Sequence, residues 1–94
     1  MKINEIAQQC YNNALDRGKI TRNGNTKESI RTLREEFNEL LLADEEKQSH
    51  HLDEISEFQE ELADIVIGGL TELYRRNPDV ENILQAKIFF NSRR

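Results

Sequence analysis

Only one proline and four glycines interrupt the 94 residues of this sequence. Because these two residue types end most helices and form most tight turns, their scarcity leaves long stretches that can be helical without interruption. Almost no stretch alternates polar and apolar residues with the period of two that a half-buried strand requires. The sequence therefore predicts an all-α fold.

Apolar residues that recur at intervals of three and four predict four amphipathic helices. The first helix is expected from about Asn4 to Asp16, before Gly18, and the second from Asn25 or Thr26 to the polar stretch Lys47–Ser49. The third is expected from about His51–Asp53 to Asn77-Pro78, and the fourth from Pro78 onwards. Glycine after a helix, a capping Asn with Glu three residues later, and proline at a first helical position are typical signals of these ends. Short connections between such helices favour a four-helix antiparallel bundle, formed as a single domain over residues 1–94.

The apolar content limits how much surface this chain can bury by itself. Hydrophobic residues make up 36% of the sequence, and tryptophan is absent. Small domains bury a modest fraction of their surface and are marginally stable. In addition, Ile67, Phe89 and Phe90 fall on helix sides that one bundle core does not cover together. We therefore expect a dimer or larger assembly that covers Ile67 and one of the two phenylalanines.

Targeting and redox signals favour a cytoplasmic protein. The first residues turn polar at once, without the apolar segment of a signal peptide. The longest apolar run, Ile65 to Leu70, is far shorter than the roughly 20 residues that cross a bilayer. The lone Cys10 cannot form an intramolecular disulfide, which fits a reducing compartment, and its helical spacing predicts a small buried residue.

Charge is divided sharply along the chain, whose net charge is −5. Residues 1–34 carry seven Lys/Arg and three Asp/Glu, residues 35–64 carry one and twelve, and residues 65–94 carry five and three. This pattern disfavours nucleic-acid polymers and membrane surfaces as partners, because those partners require a continuous basic face. A central acidic segment favours either a site at which carboxylates hold cations or a solvated acidic face.

Two segments of the second and third helices match in residue type and spacing. Leu33 to Leu41 and Phe58 to Val66 each carry acids three and six residues after their first apolar residue. At about 100° per residue both pairs border the apolar face of their helix, so packing the two faces together brings four carboxylates close. These carboxylates are Glu36, Glu39, Glu61 and Asp64, of which we expect Glu61 to lie deepest. Ala43 and Gly68 come next on the same lines, and their small size predicts space for a ligand.

Four crowded carboxylates repel one another unless a cation or a proton neutralises them. Oxygen donors favour Mg²⁺ or Mn²⁺ over zinc or copper, and the lack of histidine in either pair disfavours a di-iron centre. An acidic surface groove without metal is the alternative. We expect His50 and His51 in a solvated loop, Glu35 and Glu60 facing solvent, and Glu57 supporting the site from one turn away.

The fourth helix carries positive charge towards its end. Lys87, Asn91 and Arg94 are spaced four and three residues apart, so they line one side of a helix. A lysine, an amide and an arginine in line are suited to binding phosphate. Cations in a last helical turn also stabilise the helix dipole, which is the alternative role for Arg93 and Arg94.

These motifs together resemble a known enzyme family. The run EExxE at residues 35–39, followed after 21 residues by ExxD at 61–64, is similar to the EExxE…ExxD signature of MazG-like nucleoside triphosphate pyrophosphohydrolases. The run KxxxNxxR at residues 87–94 resembles the C-terminal helix of that family. The resemblance spans about residues 25–94.

The resemblance implies an all-α NTP pyrophosphatase bundle, usually dimeric or tetrameric, and Mg²⁺-dependent cleavage of an NTP or dNTP to the monophosphate and pyrophosphate, as in nucleotide-pool housecleaning. The implied catalytic metal ligands are Glu36, Glu39, Glu61 and Asp64, and the implied phosphate or sugar contacts are Lys87, Asn91 and Arg94. The family's members often have tryptophan or other aromatic residues near the base pocket. This chain has no tryptophan, so the base preference stays open. The alternative is a non-catalytic helical module that binds a nucleotide or a protein.

Overall fold

The computed structural model describes residues 2–94, which form four α-helices. The helices are α1 (Ile3–Asp16), α2 (Thr26–Leu42), α3 (Glu57–Arg76) and α4 (Val80–Ser92). No strand forms within these residues, and an isolated bridge pairs Gln48 with Ser56. The prediction of an all-α fold is therefore confirmed. None of the described helices is both long enough and apolar enough to cross a membrane.

Two helix ends form where local signals predict them. Gly18 has a φ of 71°, a left-handed conformation that glycine adopts without steric cost. The amides of Gly18 and Lys19 donate back to carbonyls in the last turn of α1, which completes a Schellman motif. At the start of α2, the Asn25 side chain accepts a hydrogen bond of 3.1 Å from the backbone N–H of Glu28. The capping prediction for α2 is thus confirmed.

The connection between α2 and α3 is longer than predicted. Helix α2 ends at Leu42 and α3 begins at Glu57, so both predicted bounds in segment 43–56 were wrong. Ser56 and Gln59 form a reciprocal cap, in which each side chain accepts from the backbone N–H of the other. This capping box fixes the start of α3 and leaves the preceding segment outside the helix.

Helix α4 also begins later than predicted. The Asp79 side chain accepts a hydrogen bond of 3.2 Å from the backbone N–H of Asn82, so Asp79 is the N-cap and Val80 opens the helix. The amide of Asp79 in turn donates to the Asn77 side chain at 3.0 Å. Pro78 therefore lies in the turn before the cap and is not the first helical residue.

The chain divides into two compact units, which we call the first unit (Met1–Arg22 with Leu70–Arg94) and the second unit (Asn23–Gly69). The expectation of one domain over the whole chain stays a prediction. In the first unit, Ala7, Leu70 and Val80 form a buried core against which Cys10 packs. Burial raises the pKa of the Cys10 thiol.

In the second unit, α2 packs antiparallel to the first part of α3. At the middle of α2, a Cβ added at Gly68 would lie 3.0 Å from Leu33 Cδ2. Past the end of α2, the amide of Asp44 donates to Glu57 Oε1 at 3.3 Å. Because the later α3 residue contacts the earlier α2 residue, the helices are antiparallel, and the two acidic pairs lie between these two contacts.

Candidate metal centre

The structure brings the four sequence-predicted carboxylates together in the second unit. Glu36 and Glu39 lie one turn apart on α2, and Glu61 and Asp64 lie one turn apart on α3. One carboxylate oxygen from each side chain lies within 4.8 Å of the others. The antiparallel packing of two helices, each with an acid pair beside its apolar face, is what produces this cluster. Their role as metal ligands stays a prediction.

The cluster is buried on one side and open on the other. Glu36 is buried with 5% exposure, Glu61 and Asp64 are half-buried, and Glu39 is exposed. The expectation that Glu61 lies deepest is therefore wrong, because Glu36 lies on the side of α2 that packs against protein. An ion at this position would be held by protein on one side and would remain accessible from the side of Glu39.

Glu61 has the most perturbed electrostatic environment of the four. Burial raises the pKa of the Glu61 carboxyl, and the neighbouring charges of Asp64 and Glu39 raise it further, as does a hydrogen bond with Glu39. Its Oε2 atom is buried and has no hydrogen-bond partner among the described residues. A buried carboxylate oxygen without a donor carries an unmet desolvation cost, which either a proton or a cation removes.

The two small residues near the cluster have different roles. Gly68 lies directly against Leu33, where an added Cβ would be in very tight contact. Its small size therefore allows close packing of the two helices, and the prediction of ligand space at Gly68 was wrong. Ala43 follows the last residue of α2 and lines a cavity beside the cluster, as predicted for that position.

The segment before α3 holds two histidines against the first turn of that helix. His51 Nδ1 lies 2.9 Å from Glu60 Oε2, and His50 Nε2 lies 3.6 Å from Glu57 Oε2. The buried Ser49 hydroxyl donates to Glu60 Oε1. The Ser49 and His51 hydrogen bonds lower the pKa of the Glu60 carboxyl. Both histidines are exposed and lie in the connection between α2 and α3, which confirms the expectation of a solvated loop. The expectation that Glu60 faces solvent is wrong, because its carboxylate is bonded to Ser49 and His51.

A cavity of about 290 Å³ lies between this segment and the acidic cluster. Glu39 and Glu61 of the cluster line one side, and Leu42 and Ala43 line the end of α2. The remaining lining residues are His50, His51, Glu57 and Glu60. The sequence could not have placed the histidines here, because their position depends on long-range hydrogen bonds. The available signal was the Ser-x-x-Gln capping box, which puts residues 50 and 51 in the connection.

The three predicted phosphate contacts belong to the first unit. Lys87, Asn91 and Arg94 are all exposed. Helix α4 ends at Ser92, so Arg94 lies beyond it and the expected line along one helix side does not extend to this residue. The Lys87 ammonium lies 4.8 Å from the centroid of the Phe90 ring, a cation–π contact that accounts for its place near apolar residues. Their role in phosphate binding stays a prediction.

Comparison with known proteins identifies no relative of this chain. No protein-family model matches the sequence, and no curated protein or solved structure is significantly similar to it.

Proposed function

We propose that this protein is a Mg²⁺-dependent nucleoside triphosphate pyrophosphohydrolase that cleaves an NTP or dNTP to the monophosphate and pyrophosphate. The observation that carries the proposal is the meeting of four carboxylate oxygens within 4.8 Å, contributed by two acid pairs on antiparallel helices. The similarity of these pairs to the EExxE…ExxD signature of MazG-like enzymes supplies the reaction. Nucleotide-pool housecleaning in the cytoplasm is the corresponding biological role.

The donor set fits a hard divalent cation. All four groups are oxygen donors, which Mg²⁺ and Mn²⁺ prefer. Glu36 is buried, so part of the cluster is removed from water. The Oε2 atom of Glu61 accepts no hydrogen bond from residues 2–94, so its negative charge is left uncompensated. A bound cation would satisfy that oxygen and reduce the repulsion between the pairs.

In the proposed reaction the metal would be held by Glu36, Glu39, Glu61 and Asp64. A bound divalent ion polarises phosphoryl oxygens and lowers the pKa of a coordinated water. The exposed side of the cluster, at Glu39, is where a polyphosphate can approach. One of the carboxylates accepts the proton of the attacking water. Lys87, Asn91 and Arg94 contact phosphate or sugar through charge-assisted hydrogen bonds.

We further propose that a second copy completes an antiparallel bundle of the NTP pyrophosphatase type, as a homodimer or homotetramer. Ile30, Phe37 and Leu41 follow one another at seven and four residues along α2 and are each more than half exposed. Val66 of α3 is likewise more than half exposed. So many large apolar side chains in contact with water are unusual for a lone small domain and are typical of an interaction surface.

A nucleotide panel tests the proposed function. The full chain is incubated with each NTP and dNTP, with Mg²⁺ or with EDTA, and pyrophosphate is measured. We expect metal-dependent release from at least one nucleotide, its loss in Glu61→Gln, and its retention in Glu35→Gln, which removes one exposed charge outside the cluster. Binding of a nucleotide without pyrophosphate release would instead favour the non-catalytic module.

A further inference from the structure

The end of α4 is an exposed surface that combines apolar and basic residues. Every residue from Gln85 to Arg94, a segment that we call the α4 end, is exposed in the single chain. Ile88, Phe89 and Phe90 follow one another at about 100° per residue, so they lie on three sides of the helix, and each is more than half exposed. Large apolar side chains clustered in this way are typical of a surface that another molecule covers.

The α4 end also carries concentrated positive charge. The sequence from Asn82 to Arg94 contains three Lys/Arg and neither Asp nor Glu. The Lys87 ammonium lies 4.8 Å from the centroid of the Phe90 ring, and Arg93 Cζ lies 5.3 Å from the centroid of the Phe89 ring. These cation–π contacts place the cations on the same surface as the aromatic rings. The α4 end therefore fits a partner that is both acidic and apolar.

The second unit has such a surface beside the acidic cluster. The cavity of about 290 Å³ contains four carboxylates in its described lining and neither Lys nor Arg. Two of these carboxylates, Glu57 and Glu60, lie in the first turn of α3, where they offset the positive end of the helix dipole. Leu42 lines the same cavity and is 88% exposed, so the described chain leaves it uncovered. An acidic wall with an exposed leucine is complementary to a basic surface with exposed aromatic rings.

From this complementarity we infer that the α4 end of a second copy docks at the acidic cavity, with its aromatic rings against Leu42 and its cations beside the carboxylates. Both surfaces stay exposed in the single chain, so each is available to another copy. Because every copy carries both surfaces, two copies can exchange their α4 ends reciprocally, which closes the assembly with two-fold symmetry. Opposite charges across the contact fix its orientation and increase the rate of association.

The docked arrangement has a consequence for the metal centre. Lys87, Asn91 and Arg94 of one copy would lie beside the acidic cluster of the other, because Glu39 and Glu61 of that cluster line the cavity. Each site would then combine the carboxylates of one chain with the cations of another. The inference rests on the proposed function only in assigning these cations to phosphate, since the docking follows from the two surfaces alone.

Disulfide trapping between two variants tests which surfaces meet. The full chain is prepared in a Cys10→Ala background, once with Ala43→Cys in the cavity lining and once with Ser92→Cys on the α4 end. We expect these two variants to form a mixed disulfide at least about tenfold faster than Ser92→Cys does with Lys27→Cys, because docked thiols have a raised effective concentration. Lys27 is the matched control because it is exposed at the opposite end of α2. Equal rates for the two mixtures would overturn the inference.

The same assay tests the role of charge. Adding Arg93→Glu to the Ser92→Cys chain should slow trapping by about tenfold, because it places a carboxylate against the acidic wall. Adding Lys27→Glu instead makes the same change of charge on an exposed residue away from both surfaces, and it should leave the rate nearly unchanged. Added salt should slow trapping by screening the contact. A trapping rate that depends on neither Arg93 nor salt would refute the charge complementarity and the inference with it.

Mixing two impaired variants tests whether the site is shared between chains. Glu61→Gln lacks one cluster carboxylate, and Lys87→Ala lacks one cation. If sites are shared, an equal mixture regains about a quarter of the parental rate of pyrophosphate release at low substrate, because random pairing joins intact carboxylates to intact cations in that fraction of sites. If each chain supplied both groups to its own site, the mixture would show only the average of the two variants, which would contradict the shared site.

The outcomes separate this inference from the proposed function. Trapping of Ala43→Cys by Ser92→Cys in a protein that releases no pyrophosphate would confirm the docking and remove the proposed function. Pyrophosphate release by a protein whose trapping matches the Lys27→Cys control would leave the proposed function standing and remove the docking.

Discussion

Replacing Glu61 by Gln tests whether the four carboxylates repel one another in the metal-free protein. The substitution keeps the size of the side chain, removes its charge and provides a donor near the partnerless Oε2 position. Without metal at neutral pH, we therefore expect Glu61→Gln to be more stable than the parent. With Mg²⁺ the order should reverse, because the parent then gains binding energy that the variant lacks.

The magnitude follows from the size of the cluster. Two unit charges 4.8 Å apart repel by about 0.9 kcal/mol at the dielectric constant of water and by about 3.5 kcal/mol at an effective value of about 20. Glu39 is exposed and Asp64 is half-buried, so the lower figure describes their repulsion with Glu61 better. We expect a gain of about 1–2 kcal/mol, which for a chain of this size raises Tm by roughly 4–16 °C.

The pH dependence gives a second measure of the same effect. The pKa of Glu61 is raised in the folded state, so the folded chain binds this proton more tightly than the unfolded chain does. The contribution of Glu61 to stability is complete below the ordinary carboxyl pKa and is lost as pH rises through the raised value. The advantage of Glu61→Gln should therefore appear above that pH and be absent in acid.

Urea unfolding in EDTA and in Mg²⁺, followed by circular dichroism across this pH range, provides the measurement. Glu35→Gln is the matched control, since it removes one exposed charge from α2 and should change stability by less than about 0.5 kcal/mol. If Glu61→Gln is no more stable than the parent in EDTA, the carboxylates do not repel and the reasoning about the cluster is refuted.

Three further predictions concern phosphate binding, oligomerisation and the packing of α2 against α3. Lys87→Ala should raise the KM for a triphosphate about tenfold without changing Mg²⁺ affinity measured in the absence of nucleotide; unchanged kinetics would leave Lys87 only its contact with the α4 aromatic ring. Ile67, which is 45% exposed in the single chain, should be covered in the oligomer, so Ile67→Glu should give a monomeric mass by light scattering; a monomeric parent would contradict the proposed assembly. Gly68→Val should destabilise the second unit by about 1–3 kcal/mol in urea because its Cβ would lie 3.0 Å from Leu33, whereas Gly69→Ala, with open space at Cβ, should be neutral or stabilising; equal effects would argue against close packing at Gly68.

The parts of the fold that depend on local signals could be predicted from the sequence. The Gly18 stop and the Asn25 cap each involve residues a few positions apart, so the pattern alone is sufficient. The meeting of the acid pairs could be predicted because only one relation was needed, the packing of two apolar faces. Helical periodicity defines such faces even when helix ends are misplaced by several residues.

The connection between α2 and α3 could not be predicted in the same way. The amide of Glu57 donates to the carbonyl of Lys47 at 2.8 Å, and the amide of Ser49 donates to the carbonyl of Ile55 at 2.9 Å. These hydrogen bonds replace those that would continue α2 or α3, and no periodic pattern in the sequence predicts them. The position of His51 depends on them, which is why its contact with the helix was missed.

Cys10 packs against the core of the first unit, so the reactivity of its thiol can be used to probe local opening of that unit. It is the single thiol in the sequence, and burial keeps its pKa raised, so thiolate-directed reagents react slowly with the closed form. The modification rate therefore changes when the packing of Cys10 against the core of the first unit changes, without an introduced label. Since the acidic cluster belongs to the second unit, a change in the Cys10 rate when Mg²⁺ is added would measure directly how strongly the two units are coupled.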